Sequence, residues 1–127
     1  MNKEFVKSYR TGGIVPPNRY VKFGTEDYTV VVATAATDAI VGVSDDLGAG
    51  SGEVCDVIRG GIAKVKFGGS VTRGDLTTSD GTGQAVAAAP AATATVRTGG
   101  IADVSAVNGD EGDVSLSFGA LSNAANA

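Results

Sequence analysis

The chain has no histidine, no tryptophan and one cysteine, Cys55, among 127 residues. Without histidine there is no Ser-His-Asp triad, no imidazole general base and no imidazole metal ligand. One cysteine makes neither an internal disulfide nor a thiolate zinc site. It gives no sign of an oxidising compartment, so synthesis inside a cell is expected. Charge is sparse: 19% of residues are Asp, Glu, Lys or Arg, below the roughly 25% of ordinary globular domains. Basic residues are the minority, 10 against 14 acidic, for a net charge of −4. That balance argues against a nucleic-acid partner, which needs a field of Lys and Arg against phosphate. No run reaches the ~18 consecutive apolar residues of a spanning helix, so no membrane partner is expected either. Met1 to Arg10 mix charges and hold no apolar stretch, and are not expected to form a secretory signal.

What the chain does have is glycine, 19 residues, and a 43% hydrophobic fraction that is mostly Val and Ala. Small side chains between many turn residues predict short strands in one all-β domain. Residues 1–20 differ from the rest: they hold Lys3, Lys7, Arg10 and Arg19, and Phe5, Tyr9 and Tyr20. Thr11-Gly12-Gly13 and Pro16-Pro17-Asn18 interrupt any regular element there. This segment reads as an extended N-terminal arm; the competing reading is an edge strand folded back on its own domain. Residues 21–121 read as the β body and 122–127 as a frayed tail.

Within the body, Tyr20–Phe23, Tyr28–Ala33 and Ile40–Val43 are strand-like runs, and Glu53–Ile58 reads as a strand returning from the glycine-rich turn 48–52. Ile62–Phe67 alternates, with Ala63, Val65 and Phe67 on one face and Lys64 and Lys66 on the other. Gly60-Gly61 and Gly68-Gly69 bracket it. Ser79-Asp80-Gly81-Thr82-Gly83 predicts a hairpin with a tight turn at Asp80-Gly81. Residues 85–95, nearly all Ala, Thr and Pro, predict an irregular or extended stretch, with one helical turn before Pro90 as the alternative. Val114–Phe118 alternates and closes the body. Gly60-Gly61-Ile62-Ala63 echoes Gly99-Gly100-Ile101-Ala102, which reads as two equivalent strand starts in one barrel or as chance in a Gly/Ala-rich chain.

Motifs of chemistry are weak. Gly48, Gly50 and Gly52 lack the spacing of a dinucleotide loop and no helix pattern follows them. Asp45/Asp46 and Asp110/Glu111/Asp113 sit beside turn glycines and match no calcium loop. Cys55, mid-strand, reads as a buried inert thiol. Lys64 and Lys66 lie mid-strand, not at the exposed hairpin tip a carrier lysine needs. No catalytic residue, metal ligand or cofactor site is therefore expected.

The order of several short motifs is more informative. Ile40-Val41-Gly42-Val43-Ser44-Asp45 is followed by Gly52-Glu53-Val54, Asp56-Val57-Ile58 and Gly61-Ile62-Ala63-Lys64-Val65. Then come Gly68-Gly69-Ser70-Val71-Thr72-Arg73-Gly74-Asp75-Leu76, Gly83-Gln84-Ala85-Val86, Gly100-Ile101-Ala102 and Gly112-Asp113. This run resembles the capsid decoration, or cement, proteins of tailed bacteriophages over about two-thirds of the chain. The resemblance implies a compact β-barrel or β-tulip-like domain with an extended N-terminal arm. It implies a non-enzymatic role on the outer surface of the virion capsid, bridging neighbouring capsomers of the expanded head. The implied partners are the major capsid protein and further copies of the chain, with a homotrimer favoured over a dimer.

On that reading Lys3, Phe5, Val6, Lys7, Tyr9 and Arg10 are the expected capsid contacts. Twelve extended residues span at most roughly 40 Å, and deleting residues 1–12 is expected to leave a folded body that no longer binds heads. The competing functions are a carbohydrate- or ligand-binding module on the virion surface and a small hydrolase using Asp, Glu or Ser. The first needs exposed aromatics on a rigid platform, of which the body has few, Tyr28, Phe23, Phe67 and Phe118, several of them expected in the core; the second needs a nucleophile motif, which the chain does not show.

Overall fold

The computed structural model describes residues 3–123, with Lys3 and Glu4 described by backbone alone; these residues form nine β-strands and no helix. In chain order they are β1 (Lys3–Thr11), β2 (Tyr20–Phe23), β3 (Thr29–Val32), β4 (Gly42–Ser44), β5 (Val54–Lys66), β6 (Leu76–Ser79), β7 (Ala85–Ala87), β8 (Thr95–Ala102) and β9 (Glu111–Ser122). The hydrogen-bonded order is β1-β3-β2-β4-β5-β9-β8-β6-β7, and β1 also pairs with β5. That additional pairing closes β1, β3, β2, β4 and β5 into a five-stranded barrel. The remaining strands curl from the far end of β5, and Phe67, one residue past it, returns to bridge Ala85 of β7. The strand β5 is thus common to two rings. The all-β expectation holds.

Two cores follow from this layout. Tyr9, Val21, Val30, Cys55 and Val57 fill the closed barrel. Tyr20, Val43, Ile58, Val65, Phe67 and Val114 belong to the core of the other ring. Adjacent residues Val57 and Ile58 therefore face different cores, as successive residues of a strand must. Each valine fully withdrawn from water contributes roughly 1.5–3 kcal/mol, so a chain poor in large side chains still gains a stable interior.

The glycine pair Gly60-Gly61 was expected to bracket a strand, and this is corrected: β5 runs through it for 13 residues. Gly61 has φ 82°, a left-handed conformation natural to glycine, and the register between β1 and β5 shifts at this point. The bend hands β5 from one ring to the other. The echoed segment lies opposite it: Ala63 and Ala102 both pair with Val114, on the two edges of β9. The echo marks equivalent positions flanking one strand, inside strands and not at their starts. At Gly99 a Cβ would strike the ring of Tyr20. Tyr20, fully buried, donates to Thr77 Oγ1 at 2.6 Å, and Thr77 donates to the Gly100 carbonyl at 2.9 Å.

The hairpin over 79–83 is present as β6–β7, but the positive φ falls at Gly83 and the Asp80 carboxylate holds the loop through the N–H groups of Thr82 and Gln84. Residues 88–94 are irregular, without a helical turn. The tail is partly corrected: Ser122 pairs with Thr95, and Asn123 bonds to Thr93, Ala94 and Pro90, so these two residues are held. Residues 124–127 lie outside the described residues.

The extended arm is corrected most. From Lys3↔Gly61 to Arg10↔Val54 the segment is hydrogen-bonded to β5, and Arg10 and Thr11 pair in parallel with β3. Beyond it, Val15 bridges Ala49 and is buried. Residues 3–20 are wall and core, because only β1 can satisfy the free edges of β3 and β5 at once. Met1 and Asn2 lie outside the described residues. Removal of residues 1–12 is therefore expected to abolish cooperative unfolding, and Tyr9→Ala to cost about 3–5 kcal/mol. Circular dichroism during urea titration checks both; a two-state transition in the truncated chain would contradict this account.

Candidate functional site

The closed barrel has an open mouth, and its residues follow from strand register. Side chains two residues apart share a face. Moving outward from the buried Tyr9, Val21 and Val57, the next positions on the same face are Lys7, Phe23 and Arg59, and Tyr28, at the turn just before β3, joins them. These four, with Glu26 and Asp27 of the β2–β3 loop, line a cavity of about 530 Å³. Tyr9, only 4% exposed, contributes to its lining from below.

Cations and rings alternate across the mouth. The Lys7 ammonium lies 5.8 Å from the centroids of both Tyr9 and Tyr28. The Arg59 guanidinium lies 5.6 Å from Phe23, whose ring is tilted 58° to Tyr9 at 6.0 Å. Each such contact at an exposed site is worth roughly 0.5–1 kcal/mol. Arg59 is fixed further: Nε donates to the Val41 carbonyl at 3.0 Å and Nη1 to the Tyr9 hydroxyl at 2.9 Å. The loop is pinned by Gly24 N–H to Thr29 O at 2.9 Å and by the Thr29 hydroxyl to Glu26 O at 2.6 Å.

Tyr28 is 73% exposed and has φ 62°. A bulky residue in the left-handed region costs on the order of 1–3 kcal/mol, and such strain collects where a side chain is being aimed. Its carbonyl accepts from Arg10 N–H at 3.1 Å, which ties it to β1.

The sequence-predicted contact residues divide. Phe5 and Val6 are 52% and 44% exposed, and Arg10 is exposed opposite Val54. Lys7 belongs to the mouth. Tyr9 is not a surface anchor: its inward register places it in the core, so that expectation is corrected. The side chain of Lys3 lies outside the described residues. Sequence reading did not bring Phe23, Tyr28, Glu26, Asp27 and Arg59 together; the available signal was the parity of Phe23 with Val21 and of Arg59 with Val57.

Other candidate groups serve the fold. Asp45 accepts from the N–H groups of Leu47 and Gly48, and Asp110 from that of Val107. Partial burial pushes Asp38 up, but the Thr34 N–H and the Lys22 ammonium, each at 2.9 Å, outweigh it and hold the carboxyl below its ordinary value. Among the described residues no cluster of three metal-ligating side chains occurs.

A closed all-β double ring with a cation–aromatic mouth is the class these features define. Among solved structures the chain is similar to the N base of the head fiber gp8.5 in bacteriophage phi29, with a TM-score of 0.69 and 18% identity over 89% of this chain and 93% of that one. That likeness is one of fold. No family model matches the chain, and no curated protein matches it in sequence.

Cys55 is fully buried, and its thiol is pushed up to about 11 by burial, then by the Asp45 and Asp56 carboxylates. Burial likewise holds the Tyr20 phenol above its ordinary value, against the opposing hydrogen bond to Thr77. A group that ionises later when folded stabilises fully below its unfolded value, and the gain is lost as pH rises through the folded one. Stability is therefore expected to fall between about pH 9 and 11, read from urea midpoints. A thiol reagent at about pH 8 is expected to modify the unfolded chain and spare the native one.

Proposed function

We propose that this chain is a structural protein of a tailed-phage head, bound as a homo-oligomer to the outer surface of the expanded shell and bridging neighbouring capsomers. The observation that carries the reading is the fold it shares, over nearly its whole length, with the base of a head fiber. The motif order from Ile40 to Asp113, which resembles decoration proteins, supports it independently.

The physics is linkage. A protein that binds only the closed, expanded arrangement adds its binding free energy to that arrangement. The gain is about 2.7 kcal/mol per site at a free concentration of about 100 times Kd. Many copies multiply the gain, and a rigid binder loses little of it to ordering. Closure of the barrel supplies that rigidity. In this reading β1 contacts the shell as a fixed strand, through Phe5, Val6 and Arg10, and performs no chemistry. Association of copies places several such strands on one body, which raises effective concentration. A threefold arrangement is favoured.

Purified protein mixed with undecorated, expanded heads is expected to occupy one symmetry position in cryo-electron images. The double variant Val6→Asp, Arg10→Glu is expected to lower occupancy at least about tenfold, some 1.4 kcal/mol, with an unchanged melting curve. Bare heads at saturating protein would overturn the reading.

A further inference from the structure

We propose that the mouth of the closed barrel is a saccharide-binding site that takes a neutral, polyhydroxylated sugar ring against Tyr28 and Phe23. This goes beyond head binding and does not depend on it.

Shape comes first. The cavity, about 530 Å³, falls within the roughly 300–1,000 Å³ of small-molecule sites, and barrel mouths are a common place for them. Its walls are built before any ligand arrives. The loop from Gly24 to Thr29 is held by backbone hydrogen bonds, and Arg59 is anchored to Val41 and Tyr9. Preorganisation of this kind favours affinity.

Charge then selects the ligand class. Lys7 and Arg59 contribute two positive charges, and Glu26 and Asp27 two negative ones. Among the described residues the one ion pair is Lys22–Asp38, so neither carboxylate of the mouth is ion-paired there. A polyanion would be opposed by Glu26 and Asp27, and a cationic peptide by Lys7 and Arg59. A sugar hydroxyl donates and accepts at once, so a neutral polyhydroxylated ligand uses both sets, and it alone also offers a C–H face to the rings. The carboxylates accept from hydroxyls; the ammonium, and the guanidinium N–H groups not engaged by Val41 and Tyr9, donate to them. Two carboxylates without a third ligand make a poor metal site.

The rings supply the apolar contact. Lys7 covers one face of Tyr28 and Arg59 one face of Phe23. Tyr28 and Phe23 are 73% and 50% exposed, which leaves ring surface for the C–H face of a pyranose. Tyr28 is presented by a left-handed backbone that its residue type disfavours. The strained position keeps the ring aimed out of the barrel, where the fold itself has no use for it.

The test uses the full chain. A panel of neutral oligosaccharides of glucose, galactose, mannose and N-acetylglucosamine is screened on an array, and hits are titrated by calorimetry. Saturable binding to at least one neutral glycan is expected. Tyr28→Asn is the decisive variant, because asparagine tolerates the left-handed conformation and removes the ring. It is expected to weaken binding at least tenfold while leaving the melting temperature equal or higher. Glu26→Gln with Asp27→Asn is expected to weaken it similarly, and Phe118→Ala, at an exposed ring on β9, to leave it unchanged. No hit on the panel, binding indifferent to Tyr28→Asn, or binding only to sulfated or phosphorylated glycans that vanishes with salt would each overturn the proposal.

Discussion

One strand has to serve two barrels, and every other feature accommodates that demand. In β5 the side chain of Val57 is committed to one core and that of Ile58 to the other. A slip by one residue would exchange them, together with Cys55 and the charged neighbours Asp56 and Arg59, so register is fixed by burial on both faces. The transfer between rings needs a backbone that can leave the ordinary strand region, which Gly61 supplies. Facing it, Val114 of β9 receives Ala63 on one edge and Ala102 on the other.

The same register that builds the core of the closed barrel also places its mouth. The period of two brings Lys7, Phe23 and Arg59 together, and the left-handed backbone at Tyr28, just before β3, adds the fourth side chain. Yet the result is a ring of cations and aromatics whose chemistry differs from the valine-filled interior beneath. Rigidity and recognition are thus separated along one axis. A structural role on a shell would draw on the closed wall, including the outer residues of β1. Ligand recognition would draw on the rim. Neither use compromises the other.

Much of this was readable from the amino-acid order. The alternation of Ala63, Val65 and Phe67 against Lys64 and Lys66 identified a half-buried strand, and the Asp80 turn a hairpin. The β1 wall was legible only as the competing reading of a folded-back edge strand, because its buried side chains, Tyr9 and Thr11, stand among Lys7, Ser8 and Arg10, a pattern proper to a solvated segment. What makes it a wall is pairing with β5, a contact invisible to any local window. The mouth was obscured for a related reason. Phe23 and Tyr28 read as parts of two separate strand-like runs, among a few body aromatics several of which were expected in the core. Only barrel closure turns a strand end and a loop into two sides of one cavity.

The bond between the Ser8 hydroxyl and the Asp56 carboxylate joins residues 48 apart, and the whole β1–β5 ladder has comparable separation. As the chain leaves the ribosome, β1 must wait for its longest ladder until β5 has emerged. The slow step of maturation is then the search that unites these distant partners, not the formation of any single turn. Until that search succeeds, the edges of β3 and β5 stay open and sticky, so crowding by other nascent copies endangers assembly early, and the seal made by β1 ends that danger.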